Sequence, residues 1–332
     1  MKRIFTSLFI ILFFLTACGN DELTNTEPEV IEEQLTINGG SVGGVWSIFT
    51  EGIAEAIRKE YPGTMISASP GTVAGNPILV HQEKVEFAIA ESLTALFALT
   101  GRYPFENAHE NIMGVAAVIP ENVFQFVAPK SAPFNSVKDI ADENIPIRYS
   151  PGEKDALGDI ISETIFESFK LNYDYIEEIN GEINYLSGTK SFELMRDGRL
   201  DGLGKMVPIP AGDIMEASAT LDLKLIPIEE RAIQYLTAKF PVTRYTIPAG
   251  SYDFQTEDYE TINTPTILLT HKNMSEDVVY KVTKAIYHQL DYLSNVHSGF
   301  EKINNDTITK LGGIPLHPGA EKFYKELGLL KD

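Results

Sequence analysis

Between an apolar segment at residues 35–37 and a helically periodic one at residues 45–59 lies the run Gly39-Gly40-Ser41-Val42-Gly43-Gly44, a hydroxyl set among four glycines. Glycine permits a tight turn and close backbone approach, and N–H groups at a helix start, aligned with its dipole, favour a carboxylate or a phosphate. The same residues satisfy the Gly-x-Ser-x-Gly pattern of a nucleophile elbow, in which Ser41 attacks a carbonyl carbon. Position argues against that chemistry. An elbow follows several strands of its sheet and needs Asp and His partners downstream, whereas this run opens the folded part of the chain. A nucleotide loop is weaker still, since neither Gly-Lys-Ser/Thr nor Gly-x-Gly-x-x-Gly occurs. Simple turn geometry remains the bland account of the glycines.

A second loop, Ser69-Pro70-Gly71-Thr72-Val73-Ala74-Gly75-Asn76, also joins a strand to a helix. Thr72 and Asn76 either hydrogen-bond a ligand or serve as turn and capping residues, and the two readings weigh about equally. Glu91-Ser92 ends a third strand. A carboxylate there receives a ligand ammonium or merely favours a helix start, and the second reading needs no ligand. Lys154 and Lys205 are the candidates for a positive charge in the second half, against a prior that lysines are solvated. The six histidines, His81, His109, His271, His288, His297 and His317, show no His-Glu-x-x-His or other short metal spacing. The carboxylates nominate no acid–base pair. The residues point to binding without catalysis, and to neither metal nor cofactor.

These loops need scaffolding, and the pattern supplies it. Apolar strand-like segments at 35–37, 65–67, 87–89 and 115–118 alternate with helical periodicity, as in residues 45–59, where Val45, Ile48, Phe49, Ile53, Ala56 and Ile57 recur at helical spacing. Such alternation predicts βα units and a largely parallel sheet. A second unit starts after residues 122–127, with Ser136 at capping-box spacing from Asp139, a strand at 145–149 and a helix bearing Leu157, Ile160, Ile161, Ile165 and Phe166 on one face. Residues 223–228 and 264–269 read as strands. A long helix opened by Ser275 follows, with Val278, Val282, Ile286, Leu290 and Leu293 inward.

Composition bounds the compartment and the partners. Lys2 and Arg3 precede an apolar run at 8–15 that ends in Leu15-Thr16-Ala17-Cys18, the layout of an export signal closed by a lipobox, with Cys18 as the lipidated first mature residue. That run is too short to span a bilayer comfortably. Cys18 is the only cysteine, so no disulfide forms within the chain. Six acidic and no basic residues between positions 20 and 33 read as a disordered tether. The chain of 332 residues, 43% hydrophobic, is long enough for two cored domains. Its net charge of −20, with 27 basic against 47 acidic residues, excludes a phosphate-tracking nucleic-acid surface.

Residues 38–46, Asn-Gly-Gly-Ser-Val-Gly-Gly-Val-Trp, and 315–324, Pro-Leu-His-Pro-Gly-Ala-Glu-Lys-Phe-Tyr, together resemble the TAXI branch of TRAP-type solute-binding proteins, over roughly residues 35–329. The resemblance implies a two-lobed α/β periplasmic-binding-protein-like fold with a ligand cleft between lobes. It implies capture of a small carboxylate-bearing solute, an amino acid or organic acid, for a TRAP-type permease. It assigns the ligand to Gly40, Ser41, Gly43, Gly44, Trp46, Thr72, Val73 and Glu91 in the first lobe, and to Glu153, Lys154 and Pro210 in the second. The domains expected are a signal at 1–17, a tether at 18–34, a first lobe at 35–127 plus about 250–332, and a second lobe at 128–249. Residues 41–46 depart from the family's Ser-Thr-Gly-Gly-Val-Tyr, and Glu91-Ser92 stands where Gln-Ser-Asp is usual. Residues 150–158, Ser-Pro-Gly-Glu-Lys-Asp-Ala-Leu-Gly, replace a hydroxyl-rich Gly-Ser-Gly-Thr. Residues 196–202 resemble the stretch entering a central strand of the second lobe, and 208–211 the segment lining the cleft after it. The alternatives are a secreted serine hydrolase using Ser41 and a ligand-sensing lipoprotein that docks on a receptor kinase.

Overall fold

The structure, a computed structural model, describes residues 29–331 apart from Ser41 and Gly43. The export signal, Cys18, most of the expected tether, Ser41 and Gly43 therefore lie outside the described residues. The packed body begins earlier than the expected tether end: Ile31 is buried and its N–H donates to Thr64 Oγ1 at 3.1 Å. One apolar side chain in an acidic stretch suffices to dock it.

Twelve strands are described: β1 (Leu35–Asn38), β2 (Ile66–Ser69), β3 (Phe87–Glu91), β4 (Ile112–Ile119), β5 (Val123–Pro129), β6 (Arg148–Ser150), β7 (Glu182–Ile183), β8 (Gly202–Val207), β9 (Leu223–Ile226), β10 (Thr243–Ile247), β11 (Tyr259–Asn263) and β12 (Thr266–His271). They form two sheets. The first has the order β2-β1-β3-β12-β4, and in the second β10-β11-β5-β8-β6-β7 is joined by β9 pairing with β5. Parallel pairing is confined to β2-β1-β3 and to β8-β6-β7. The remaining pairs are antiparallel, so the largely parallel expectation holds only where βα units repeat. β12 breaks the pattern in the first sheet because it returns from the other lobe and slots between β3 and β4.

The chain changes sheet between β4 and β5 and again between β11 and β12, which moves β5 and β11 from the expected first lobe into the second. Both crossings are tied together. Thr264 N–H donates to Asn122 O at 3.1 Å, Ser92 N–H to Pro265 O at 2.9 Å, and the Ser92 and Thr264 hydroxyls lie 2.8 Å apart. A hinge so bonded fixes where the lobes meet while leaving them joined by only two strands of chain.

Local sequence explains the helices that position the cleft. In Val45–Glu60 the buried stripe is Phe49, Ile53, Ala56 and Ile57, while Val45 and Ile48 of the predicted stripe are exposed. Val45 instead lines the cleft between the lobes. Ser136 caps its helix by accepting from Asp139 N–H, and Ser275 does the same for Val278. The long final helix is two, Glu276–His288 and Leu290–Val296, broken at Gln289. The closing helix Pro318–Glu326 lies so close to Glu276–His288 that a Cβ on Gly319 would sit 2.2 Å from the Glu276 carbonyl oxygen. His317 caps that helix through Nδ1, which accepts from Gly319 N–H at 3.2 Å. The specific-looking 315–324 motif thus encodes a helix–helix contact.

Candidate functional site

A cleft of about 710 Å³ lies between the lobes, within the range of small-molecule sites. From the first lobe it is lined by Gly40, Gly44, Val45, Trp46, Gly71, Thr72, Val73 and Glu91; from the second by Pro151, Gly152, Glu153, Ala156, Leu157, Gly158, Leu186, Ser187, Gly188, Lys205, Met206 and Val207. Every segment follows, or is, the carboxyl end of a strand. Those of β1, β2 and β3 face those of β6, β7 and β8.

Three helices begin in this cleft: Val45–Glu60, Leu157–Ser168 and Gly188–Arg196. The first two start at Gly44 and Ala156, and no side chain caps either. Their first turns carry the positive end of the helix dipole with no described side chain capping them, although Ser47 N–H and Asp159 N–H turn back onto Gly44 O and Ala156 O, each at 3.0 Å. The third is capped by Ser187, whose hydroxyl accepts from Lys190 N–H. Lys205, the one cation among the described lining residues, is largely buried and ion-paired with Asp213. Gly188 makes room for that pair, since a Cβ there would stand 3.0 Å from Lys205 Nζ and 2.5 Å from Asp213 Oδ2.

Asn76 organises the first-lobe loops. Its fully buried amide donates to Gly39 O and to Ile89 O, both at 2.8 Å, which binds the β1, β2 and β3 ends into one unit. The structure thus gives Asn76 a scaffolding role. Thr72 lines the cleft but also accepts from Gly75 N–H at 3.1 Å, the turn bond of the bland reading. Glu91 is buried at the cleft wall. Its Oε2 accepts from Thr94 Oγ1 at 3.1 Å and its Oε1 from Asn122 Nδ2 at 3.3 Å, and burial pushes its carboxyl up to about 7.

The second-lobe loop that departs from the family pattern is built on carboxylates instead of hydroxyls. Asp159 accepts from Asp155 N–H at 3.0 Å and from Tyr173 OH at 3.1 Å, and burial raises its pKa above the usual range. Gly158 lets the loop fold back, since a Cβ would meet Pro151 O at 2.8 Å. None of its residues that line the cleft, Pro151, Gly152, Glu153, Ala156, Leu157 and Gly158, carries a hydroxyl.

Of the residues nominated from the sequence, Gly40, Gly44, Trp46, Thr72, Val73, Glu91 and Glu153 come together in the cleft. Ser41 and Gly43 lie outside the described residues. Lys154 and Pro210 do not line it. Lys154 is exposed, with Nζ over the Tyr185 ring at 5.8 Å from its centroid. Beyond Val207 the chain turns back into the second-lobe core, where Ala211 N–H donates to Tyr252 OH at 2.9 Å, and that hydroxyl donates to Gln125 at 2.6 Å. Sequence reasoning missed Leu186, Ser187 and Gly188, although a serine followed by a glycine before an apolar-periodic stretch is a helix-start signal. Among the described residues no group of three His, Cys, Asp or Glu is arranged to hold a metal ion.

Two sheets joined by a two-strand hinge around a cleft define a periplasmic-binding-protein-like fold. Solved structures share it: PhnD1 from Prochlorococcus marinus (MIT 9301) in complex with methylphosphonate superposes with a TM-score of 0.55 at 10% identity, covering 89% of this chain and 98% of that one. MatC from Rhodopseudomonas palustris with bound malate gives 0.52 at 14% identity, covering 89% and 96%. The chain belongs to the NMT1-like family, which it matches over residues 37–328.

Proposed function

We propose that the protein is an extracytoplasmic solute-binding receptor of the TAXI branch, which encloses a small carboxylate-bearing solute between its lobes and hands it unchanged to a TRAP-type membrane permease. The observation that carries this reading is the convergence of two uncapped helix starts, a third helix start and Lys205 on one interlobe cleft. A carboxylate there accepts from first-turn N–H groups that no described side chain caps, and it shares Lys205 with Asp213. Trp46, Leu157, Leu186 and Met206 supply apolar wall for the rest of the solute. The similar folds hold methylphosphonate and malate, both small anions. The chain's charge of −20 does not oppose this, because surface charge is screened over about 8 Å at physiological salt.

The test is mass spectrometry of small molecules released from the purified protein, followed by melting of the stripped protein with each acid found. An intact carboxylic acid that restabilises the fold, by about 2.7 kcal/mol at a hundred times its Kd, supports the reading. A released compound without a carboxylate, joined to an absence of any shift with amino acids, keto acids and dicarboxylates, overturns it. Anchoring through Cys18 belongs to the same proposal, and incorporation of labelled fatty acid by a Cys18→Ala variant would refute it.

A further inference from the structure

We propose that Glu91 is a specificity-determining residue that receives an ammonium group of the ligand, so that the solute is a zwitterionic amino acid and not a simple organic acid. This rests on the carboxylate reading above and adds the second end of the ligand. Glu91 ends β3, its side chain is only 7% exposed, and it lines the cleft. A helix start alone does not account for it: although Glu91 precedes the helix Ser92–Thr100, its side chain caps no N–H of that helix. Instead, among the described residues, its oxygens accept one bond each, from Thr94 and Asn122, and both donors are neutral.

An ionised carboxylate offers about four acceptor positions, so two neutral bonds leave it half satisfied. Its desolvation is correspondingly uncompensated, which is the physical cause of its elevated pKa. Among the described residues the elements packed against it bring no cation: Thr94 comes from the helix that follows it, Asn122 from the lobe crossing, and Thr266 from the facing strand. The charged side chains sharing the cleft are Glu153, exposed at the rim, and Lys205, held by Asp213. With no cation beside Glu91 among the described residues, the ligand supplies the positive charge that completes the site. A ligand ammonium donates to the free positions of the carboxylate while the ligand carboxylate faces the helix starts and Lys205.

Calorimetric titration at pH 8 with matched probes separates this proposal from the reading beneath it. The probes are L-glutamate, L-leucine and L-alanine, each paired with its 2-hydroxy acid, which keeps the carboxylate and loses the amine. The wild type is expected to bind at least one amino acid about ten- to a hundredfold more tightly than its hydroxy acid, the range of a charge-assisted hydrogen bond. Glu91→Gln should erase that preference, and a cooperative unfolding transition of the variant, recorded in parallel, reports that it is folded. Binding that ignores the amine, or a preference that survives Glu91→Gln, overturns the Glu91 role and leaves the carboxylate reading standing. Equal binding of an amino acid and its carboxamide, still dependent on Glu91, keeps the ammonium site and removes the carboxylate reading. No binding of any probe overturns both.

Discussion

Tyr103 and Asp155 join the two lobes: the hydroxyl of a first-lobe loop residue donates to the carboxylate of a residue in the second-lobe loop at 150–158. The bond pushes the Tyr103 phenol up to about 12 and leaves Tyr103 itself largely exposed. Asp155 sits at φ 63°, a left-handed conformation that Asp tolerates better than most residues, and its own N–H is held by Asp159. The same residue thus bonds to the other lobe and shapes the loop that borders the cleft. A second contact between the lobes is the packing of Phe97 on Phe240, with ring centroids 5.4 Å apart.

Tyr103→Phe should therefore leave the fold intact, costing no more than about 1 kcal/mol of stability, as for an exposed hydrogen bond. Its effect should fall on the ligand-bound arrangement. Dissociation, followed by stopped-flow tryptophan fluorescence of Trp46, should be roughly two- to tenfold faster. An unchanged rate would show that the bond contributes nothing to holding the lobes together.

Lys205→Met should weaken carboxylate binding by about ten- to a hundredfold, since a charged hydrogen-bond donor is lost. The same substitution strands Asp213, which has then no counter-charge beside the ligand. Lys205→Met combined with Asp213→Asn should recover part of the affinity by removing that repulsion. Calorimetry on the single and double variants checks both statements, and equal affinities in all three proteins would remove Lys205 from the site.

Much of this arrangement was legible. The Gly39–Gly44 run and the 69–76 loop announce helix starts after strands, because glycine and turn residues carry backbone geometry locally. Glu91 was legible as a strand-end carboxylate, but only burial and neighbours distinguish a ligand partner from a helix-start acid. Lys154 and Lys205 looked alike in sequence and separate only in space, one over Tyr185 at the surface and one paired in the cleft. Pro210 was misplaced because the Tyr252 to Ala211 bond, which pulls its segment away, joins positions 41 residues apart. The lobe crossings were expected near residues 127 and 250 and fall at 120–122 and 264–265, because what makes them a hinge is the bonding between residues 92, 122 and 264.

Gly319→Ala separates the family-typical from the functional. The added methyl would collide with the Glu276 carbonyl at 2.2 Å, a backbone atom that cannot rotate away. Overpacking of this kind costs about 1 to 3 kcal/mol. Ligand affinity should stay within a few-fold of wild type where the variant remains folded, since the contact lies far along the chain from every lining residue. A large loss of affinity at unchanged melting temperature would contradict a purely structural role for the 315–324 motif.

Glu91 also predicts a pH dependence of stability whose sign is fixed by burial. Its carboxyl titrates near 4.5 when the chain is unfolded and near 7 in the ligand-free fold. Between those values the native state holds a proton that the unfolded state has released, so stability falls as pH rises through the window and is flat with respect to this group on either side. The full difference amounts to about 3 kcal/mol. Glu91→Gln cannot ionise and should lack this component: denaturant unfolding at pH 5 should find the two proteins similar, and at pH 8 the variant more stable by up to that amount. A ligand ammonium at Glu91 reverses the balance, because it favours the ionised form and draws the bound-state pKa down. Amino-acid affinity of the wild type should therefore rise between pH 6 and pH 8, and that rise should vanish in Glu91→Gln. A wild-type affinity that falls over the same interval would mean that Glu91 acts as a neutral hydrogen-bond donor and not as the partner of a cation.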